Sequence, residues 1–249
     1  ADSRECFPGV DIAGGVCYFL WDRDNPGDCE VIHHHHGTVD SSSRPLNQFD
    51  TFVRSSVSVS IIDKERSSHN HDWLNQIVSS RNPFGLGSKV RPKKHGELTL
   101  HWSGGTGPFP KSEVHSGKEL INKWKVLLSK ASFDHGGQPD KQGMRRIFSR
   151  VEVLRPGDIC NESYLVVGPY DTRREAENLV TYLRTKFCRY LVSTILFTQN
   201  IAKDRFQFVP NLSMAKPWTD RALYRRYGLS ETEMAHIEST IRHMEANGE

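Results

Sequence analysis

The chain has 249 residues, of which 36% are hydrophobic and 25% charged, with a net charge of +3. That length supports one large folded unit or two modest ones, and the composition excludes a disordered or collagen-like chain. The longest apolar runs, such as residues 16–21, are far too short to span a bilayer, so no membrane partner is expected.

The five cysteines, Cys6, Cys17, Cys29, Cys160 and Cys188, are odd in number and form no CxxC pair. They suggest neither a zinc knuckle nor a disulfide framework, and they suit a reducing cytoplasm. No charged-then-apolar leader opens the sequence, so nothing argues for secretion.

In chain order, residues 16–21 form a continuous apolar run bounded by glycines and by Asp22-Arg23, the pattern of a strand buried on both faces. Asn25-Pro26-Gly27-Asp28 is a turn, and residues 29–35 read as the partner strand of a hairpin. A lone hairpin is not stable, so the first 40 residues are expected to be the end of a larger sheet. Residues 37–45 read as a polar linker. Residues 56–62 alternate like a short strand, and residues 72–80 carry Trp73, Leu74, Ile77 and Val78 at helical spacing. Residues 97–102 alternate as a strand, and the Gly- and Pro-rich stretch 104–110 reads as a loop. A short helix is expected at 118–122, a β-permissive stretch at 124–129, a Gly-rich loop at 133–143, and strands at 151–154 and 163–168.

The last third changes character. Thr172 and Glu175 form a capping-box signature ahead of a long amphipathic helix running to about Gln199, with Leu183, Phe187, Leu191 and Ile195 as core. A short helix over 220–227 is stopped by Gly228, and Ser230 with Glu233 opens a last helix to about Ala246. The expected class is α+β: an N-terminal strand hairpin from a larger sheet (1–40), a loop-rich mixed β region (41–170) and C-terminal helices (171–249).

Charge is unevenly spread. Residues 81–155 hold 15 Lys and Arg against 6 Asp and Glu, an excess of nine positive charges, so the flanks together carry six negative ones. A basic middle between acidic flanks is the footprint of a surface facing phosphate, with a solvated charged face as the plain alternative.

Several segments carry a family resemblance. They are Phe7-Pro8-Gly9-Val10-Asp11-Ile12-Ala13-Gly14-Gly15-Val16-Cys17-Tyr18-Phe19-Leu20-Trp21, then Ser79-Ser80-Arg81-Asn82-Pro83-Phe84-Gly85-Leu86, then Trp124-Lys125-Val126 with Ser129-Lys130-Ala131. Next come Glu175-Ala176-Glu177-Asn178 with Thr185-Lys186-Phe187 and Arg189-Tyr190-Leu191, and finally residues 220–229 with Tyr224, Tyr227 and Gly228. In this order they resemble the C-terminal half of TaqI-like, gamma-class adenine-specific DNA methyltransferases of bacterial restriction–modification systems. The resemblance implies double-stranded DNA as partner, S-adenosylmethionine as cofactor of the full-length enzyme, a missing N-terminal methyltransferase half, and a restriction endonuclease subunit as a further candidate partner. The family's glycine-rich cofactor loop and its Asn-Pro-Pro-Tyr/Phe motif do not occur here, so no cofactor and no catalytic residue are assigned to this chain. Asn82-Pro83-Phe84-Gly85 lacks the second proline.

An enzyme that acts on a base flips it out of the duplex, so something must hold the DNA and read its neighbours. Lys89, Arg91, Lys93, Lys94 and Lys111 are candidate phosphate contacts, with Lys141 and Arg150 in the same basic region. Gln142, Arg145 and Arg146 are the candidate base readers, because Arg pairs bidentately with guanine and Gln with adenine. Trp102, beside a Gly-rich loop, is the candidate base stacker, while Trp21, Trp73, Trp124 and Trp218 read as packing residues. Arg173, Arg174, Arg184, Lys186 and Arg189 read as a solvated helix face.

His33 and His35 share a strand face but lack further metal ligands, and His69-Asn70-His71 reads as a polar loop. No Asp or Glu is followed two residues later by Lys, which removes the common magnesium-nuclease signature. The rival to DNA contact is a subunit-docking or endonuclease-associated module, suited to the acidic last helix with Glu231, Glu233, Glu238 and Glu245.

Overall fold

Val126, Leu127 and Leu128 follow one another without a polar residue, so a strand through them must bury both faces. The computed structural model, which describes residues 7–9, 16–35, 38–68, 72–134 and 139–244, does this. Among the described residues the strands are β1 (Cys29–His35), β2 (Thr38–Arg44), β3 (Leu98–Trp102), β4 (Gly105–Phe109), β5 (Trp124–Ser129), β6 (Val151–Leu154), β7 (Asp158–Cys160) and β8 (Tyr164–Tyr170). The helices are α1 (Ser56–Ser67), α2 (Arg173–Arg184), α3 (Lys186–Ser193), α4 (Asp220–Arg226) and α5 (Glu231–Thr240). The chain is α+β.

The central sheet has the order β6-β5-β8, with both neighbours antiparallel to β5. Val126, Leu128, Leu165 and Val167 point from it into a large core built with the helices, among them Leu179, Leu183, Phe187, Leu191 and Ile195, all fully buried. Leu127, Leu154 and Val166 point the other way, into a second core with Leu100, Phe109 and Ile159 of the sheet β4-β3-β7. The two-residue period of the strands therefore splits one apolar run between two cores. The large core takes residues from both sides of position 170, from Phe49 to Met244.

Both capping boxes form. Thr172 accepts from the amide of Glu175, Ser230 from that of Glu233, and each glutamate returns to the backbone N–H of its cap. The single long helix expected after Thr172 is two helices. Thr185 leaves the helical region at ψ 148°, its Oγ1 donating to Tyr182 O and accepting from Cys188 N, so one residue ends α2 and caps α3. The last helix stops at Thr240, short of Ala246.

Five other expectations are corrected. Residues 16–21 form no strand: Tyr18, Phe19, Leu20 and Trp21 are 79%, 86%, 94% and 74% exposed, because no described strand lies beside them. Residues 29–35 instead pair with residues 38–44, the supposed linker, from Cys29 opposite Arg44 to His35 opposite Thr38. Residues 56–62 are the start of helix α1, whose buried positions Ser58, Ile61, Ile62 and Glu65 keep helical spacing once the window is long enough. Residues 72–80 are extended around one 3-10 turn, because neighbouring backbone takes up their polar groups. Leu74 N donates to Val209 O (2.7 Å), Ser79 N to Val166 O (2.8 Å), and Gly168 N to Ile77 O (3.0 Å). Residues 105–109 form the edge strand β4, where Pro108 is tolerated.

Two glutamates of the helical layer are held in opposite states. The Glu233 carboxylate accepts from Lys64 Nζ (2.6 Å), Ser60 Oγ (2.7 Å) and Ser230 N (2.7 Å). Burial opposes its charge, but these donors outweigh it and lower its pKa to about 2. Glu65 is fully buried and its carboxyl oxygens meet no hydrogen-bond partner among the described residues, so burial raises its pKa to about 9.

Glu65→Gln is expected to raise stability by roughly 1–3 kcal/mol at pH 7, because the folded wild type must keep a proton that the unfolded chain releases above its ordinary value. That gain should vanish at pH 3. Glu233→Gln is expected to cost roughly 1.5–3 kcal/mol at pH 7. Its loss should shrink as pH falls from the ordinary carboxylate range toward 2, where the native carboxylate takes up its proton. Urea denaturation at pH 3 and pH 7 checks both; a Glu65→Gln protein less stable than wild type at pH 7 would rule out the neutral carboxyl.

Candidate nucleic-acid interface

The basic loop that precedes β3 is fixed to the outer edge of β4. Lys93 N donates to Pro108 O (2.8 Å), filling an acceptor on the strand edge. Gly107 is required opposite Pro92, since a Cβ there would lie 2.6 Å from the Pro92 Cβ. From the other side, Asn161, fully buried next to β7, donates through Nδ2 to Ser88 O (3.3 Å) and Val90 O (3.4 Å). Its Oδ1 accepts from Ser163 N (3.1 Å).

This anchoring brings Lys89, Arg91 and Lys93 around one open groove of about 360 Å³, which Pro92, Phe109 and His115 also line. Glu113 also lines it, paired with Lys93 Nζ at 3.2 Å. Lys94 and Lys111 are exposed on the flanking backbone, and Lys111 N donates to the Glu97 carboxylate (3.0 Å), which holds that acid below its ordinary range. Five of the ten candidate DNA contacts, Lys89, Arg91, Lys93, Lys94 and Lys111, therefore lie on or beside this loop and the β4 edge.

The guanidinium of Arg91 lies over the Trp102 ring at 4.4 Å, and its Nη1 donates to Ser88 O (2.7 Å) and Val90 O (3.0 Å). Trp102 is half-buried, and Gly104 packs so closely on its ring that a Cβ would come within 2.2 Å. Its ring is thus covered by Arg91 and the β3–β4 turn, so the stacking surface expected for a base already carries an arginine.

The other candidates sit apart, where residues 139–150 fold against the C-terminal segment. Lys141 is exposed. The Gln142 carbonyl oxygen accepts from Arg242, and Asp140 accepts from Gln142 N (2.9 Å) and Met144 N (3.0 Å). Arg145 is turned inward, with Nη1 donating to Ser193 O (3.3 Å) and its amide to Thr240 O (2.8 Å). Arg146 covers the Phe133 ring at 4.5 Å. Arg150 donates to the Tyr164 hydroxyl (2.7 Å) and to Glu152 (2.6 Å). His69-Asn70-His71 lies outside the described residues.

The helix face expected to be solvated is only partly so. Arg189 is fully buried, Arg184 donates to Val151 O (3.0 Å), and Lys186 pairs with Glu238 (2.5 Å). The acidic helix is likewise tied inward through Glu233 and Glu238, while Glu245 lies outside the described residues. Phe84 is fully buried and Gly117 packs on the Pro83 carbonyl, so Asn82-Pro83-Phe84-Gly85 is a packed turn and does not fit the grip on a flipped adenine. Among the described residues no group of three or more His, Cys, Asp or Glu is placed to hold a metal ion, and no helix is long and apolar enough to cross a membrane.

His101, on β3 one residue before Trp102, was not legible as a site residue. Its ring nitrogens lie 3.3 Å from Glu152 and 3.5 Å from Asp158, within ion-pair reach though not aligned as hydrogen bonds. Burial disfavours the charged ring, but Asp158 and Glu152 outweigh it and raise the pKa above the usual value. His101 thereby links β6 to β7 behind the Arg91–Trp102 stack. Comparison with protein-family models finds no match, and neither does comparison with curated proteins.

The raised pKa means that the His101 contribution is complete below the ordinary histidine value and is lost as pH rises through the higher native value. His101→Gln is expected to cost about 1 kcal/mol at pH 6 and markedly less at pH 9. Equal losses at the two values in urea denaturation would show that the charged ring contributes nothing.

Proposed function

We propose that this chain is the DNA-contacting, target-recognition part of an adenine-specific DNA methyltransferase of the restriction–modification kind, and does not transfer methyl groups by itself. The observation that carries the reading is the gathering of Lys89, Arg91 and Lys93 around one rigid groove, flanked by Lys94 and Lys111. Mobile ammonium groups around an anchored arginine suit a duplex, whose phosphates supply affinity and whose base edges supply selectivity. S-adenosylmethionine and the transfer step belong to a methyltransferase half N-terminal to these residues, alongside which a restriction endonuclease subunit would act. The packed turn at Asn82-Pro83-Phe84-Gly85 agrees with that division. Arg145 and Arg150 act in this reading as supports of the fold.

The exposed Tyr18, Phe19, Leu20 and Trp21 favour a second reading, in which this segment docks a partner subunit. The acidic last helix supports docking less, because Glu233 and Glu238 are already paired within the chain.

Anisotropy of a labelled duplex in a salt series separates the two. DNA contact is expected to weaken linearly in log–log with salt, and replacing Lys89, Lys93 and Lys94 by Ala should reduce the slope by roughly 2–3. Arg145→Ala should leave the slope unchanged while lowering the denaturation midpoint. A folded protein that binds no duplex at low salt would overturn DNA contact and leave the docking reading.

A further inference from the structure

A cation that serves only to neutralise phosphate does not need a fixed orientation, and among the described residues Lys89, Lys93 and Lys94 have none imposed on their side chains beyond the contact of Lys93 with Glu113. Arg91 is different. One face of its guanidinium lies on Trp102, and Nη1 is held by two carbonyls. Those same carbonyls, Ser88 O and Val90 O, are held from below by buried Asn161. Trp102 is itself fixed by the turn at Gly104. The side chain is exposed, and its Nε–Nη2 edge carries no hydrogen bond among the described residues. Two parallel N–H donors in a plane set by the protein are thus presented to solvent.

We infer that Arg91 is the specificity-determining residue of this surface and reads the O6 and N7 edge of one guanine in the major groove, with Asn161 as its positioning residue. The inference rests on the DNA-contact reading above and moves base recognition from Gln142, Arg145 and Arg146 to the β3–β4 side. The chemistry is the bidentate match between a guanidinium edge and two acceptors on one base, which an ammonium group cannot reproduce. Fixing the fork beforehand removes the ordering cost that a free arginine meets on binding, so the match discriminates more sharply. The flanking lysines hold the backbone on either side.

The test is selection from a pool of duplexes with a randomised tract, with a salt series on the selected duplex, using the whole chain and its Arg91→Lys, Arg91→Gln and Asn161→Ala variants, with circular dichroism confirming the fold. Wild type is expected to select guanine at one position. Arg91→Lys should lose roughly 5- to 150-fold of the preference at that position alone while keeping its affinity for unselected DNA and its salt slope. Asn161→Ala, where folded, should weaken the same preference without changing the slope. Unchanged selection by Arg91→Lys, or wild-type binding without any base preference, would overturn the inference but leave DNA contact standing. Retained selection by Arg91→Gln with a salt slope smaller by about one would make Arg91 a phosphate contact, also overturning it. Absence of binding by all the proteins would instead overturn the DNA-contact reading itself.

Discussion

The fully buried guanidinium of Arg189 is the interaction on which the helical half depends. Its Nε donates to Arg184 O (3.2 Å) and Thr185 O (3.3 Å), and its Nη1 to Arg146 O (3.3 Å) and Arg242 O (2.8 Å). Burial lowers its pKa to about 10, so it stays charged at neutral pH. The charge is met by carbonyl dipoles, two of them at the C-terminal, negative end of α2. One side chain therefore fixes the break between α2 and α3, the loop through Arg146 and the segment after α5. Removing it would take these donors from all four carbonyls; Thr185 O keeps Arg189 N (3.3 Å) and Arg146 O keeps Phe148 N (2.9 Å), but a buried acceptor stripped of a donor costs more than the bond itself contributes.

Lys125 does the same for the sheets. It is fully buried in β5, and its ammonium donates to the carbonyls of Ile121 (3.4 Å), Lys123 (3.0 Å) and Arg155 (3.3 Å). Burial lowers its pKa to about 8. The turn that leads from β6 into β7 is thereby tied beneath the central sheet, and β7 carries Cys160 into Asn161. From Asn161 the chain of contacts runs to the carbonyls of Ser88 and Val90, and so to Arg91 and the groove. The loop that lines the groove is thus anchored by Asn161, a buried residue some seventy positions away in the chain.

These two cations explain the limits of charge counting. Lys125 and Arg145 contribute to the positive excess of residues 81–155 exactly as Lys89 and Arg91 do, yet the first two face backbone inside the protein. Composition registers a charge and not its partner. In the same way, residues 16–21 have the composition of a doubly buried strand, yet residues 17–21 are exposed, since burial needs a neighbouring sheet that their own sequence does not provide.

What the sequence determined by itself is local. The capping boxes at Thr172 and Ser230 and the helical spacing of Leu183, Phe187, Leu191 and Ile195 follow from residues within a few positions of one another. Tertiary structure decided the rest: that residues 72–80 run extended, that Pro- and Gly-rich 105–109 become an edge strand, and that Arg91 rests on Trp102 above Asn161. In each case the deciding partner is a backbone carbonyl, amide or ring brought in from a distant part of the chain. Such groups are common to almost every residue, so nothing in the one-dimensional pattern marks which of them will meet.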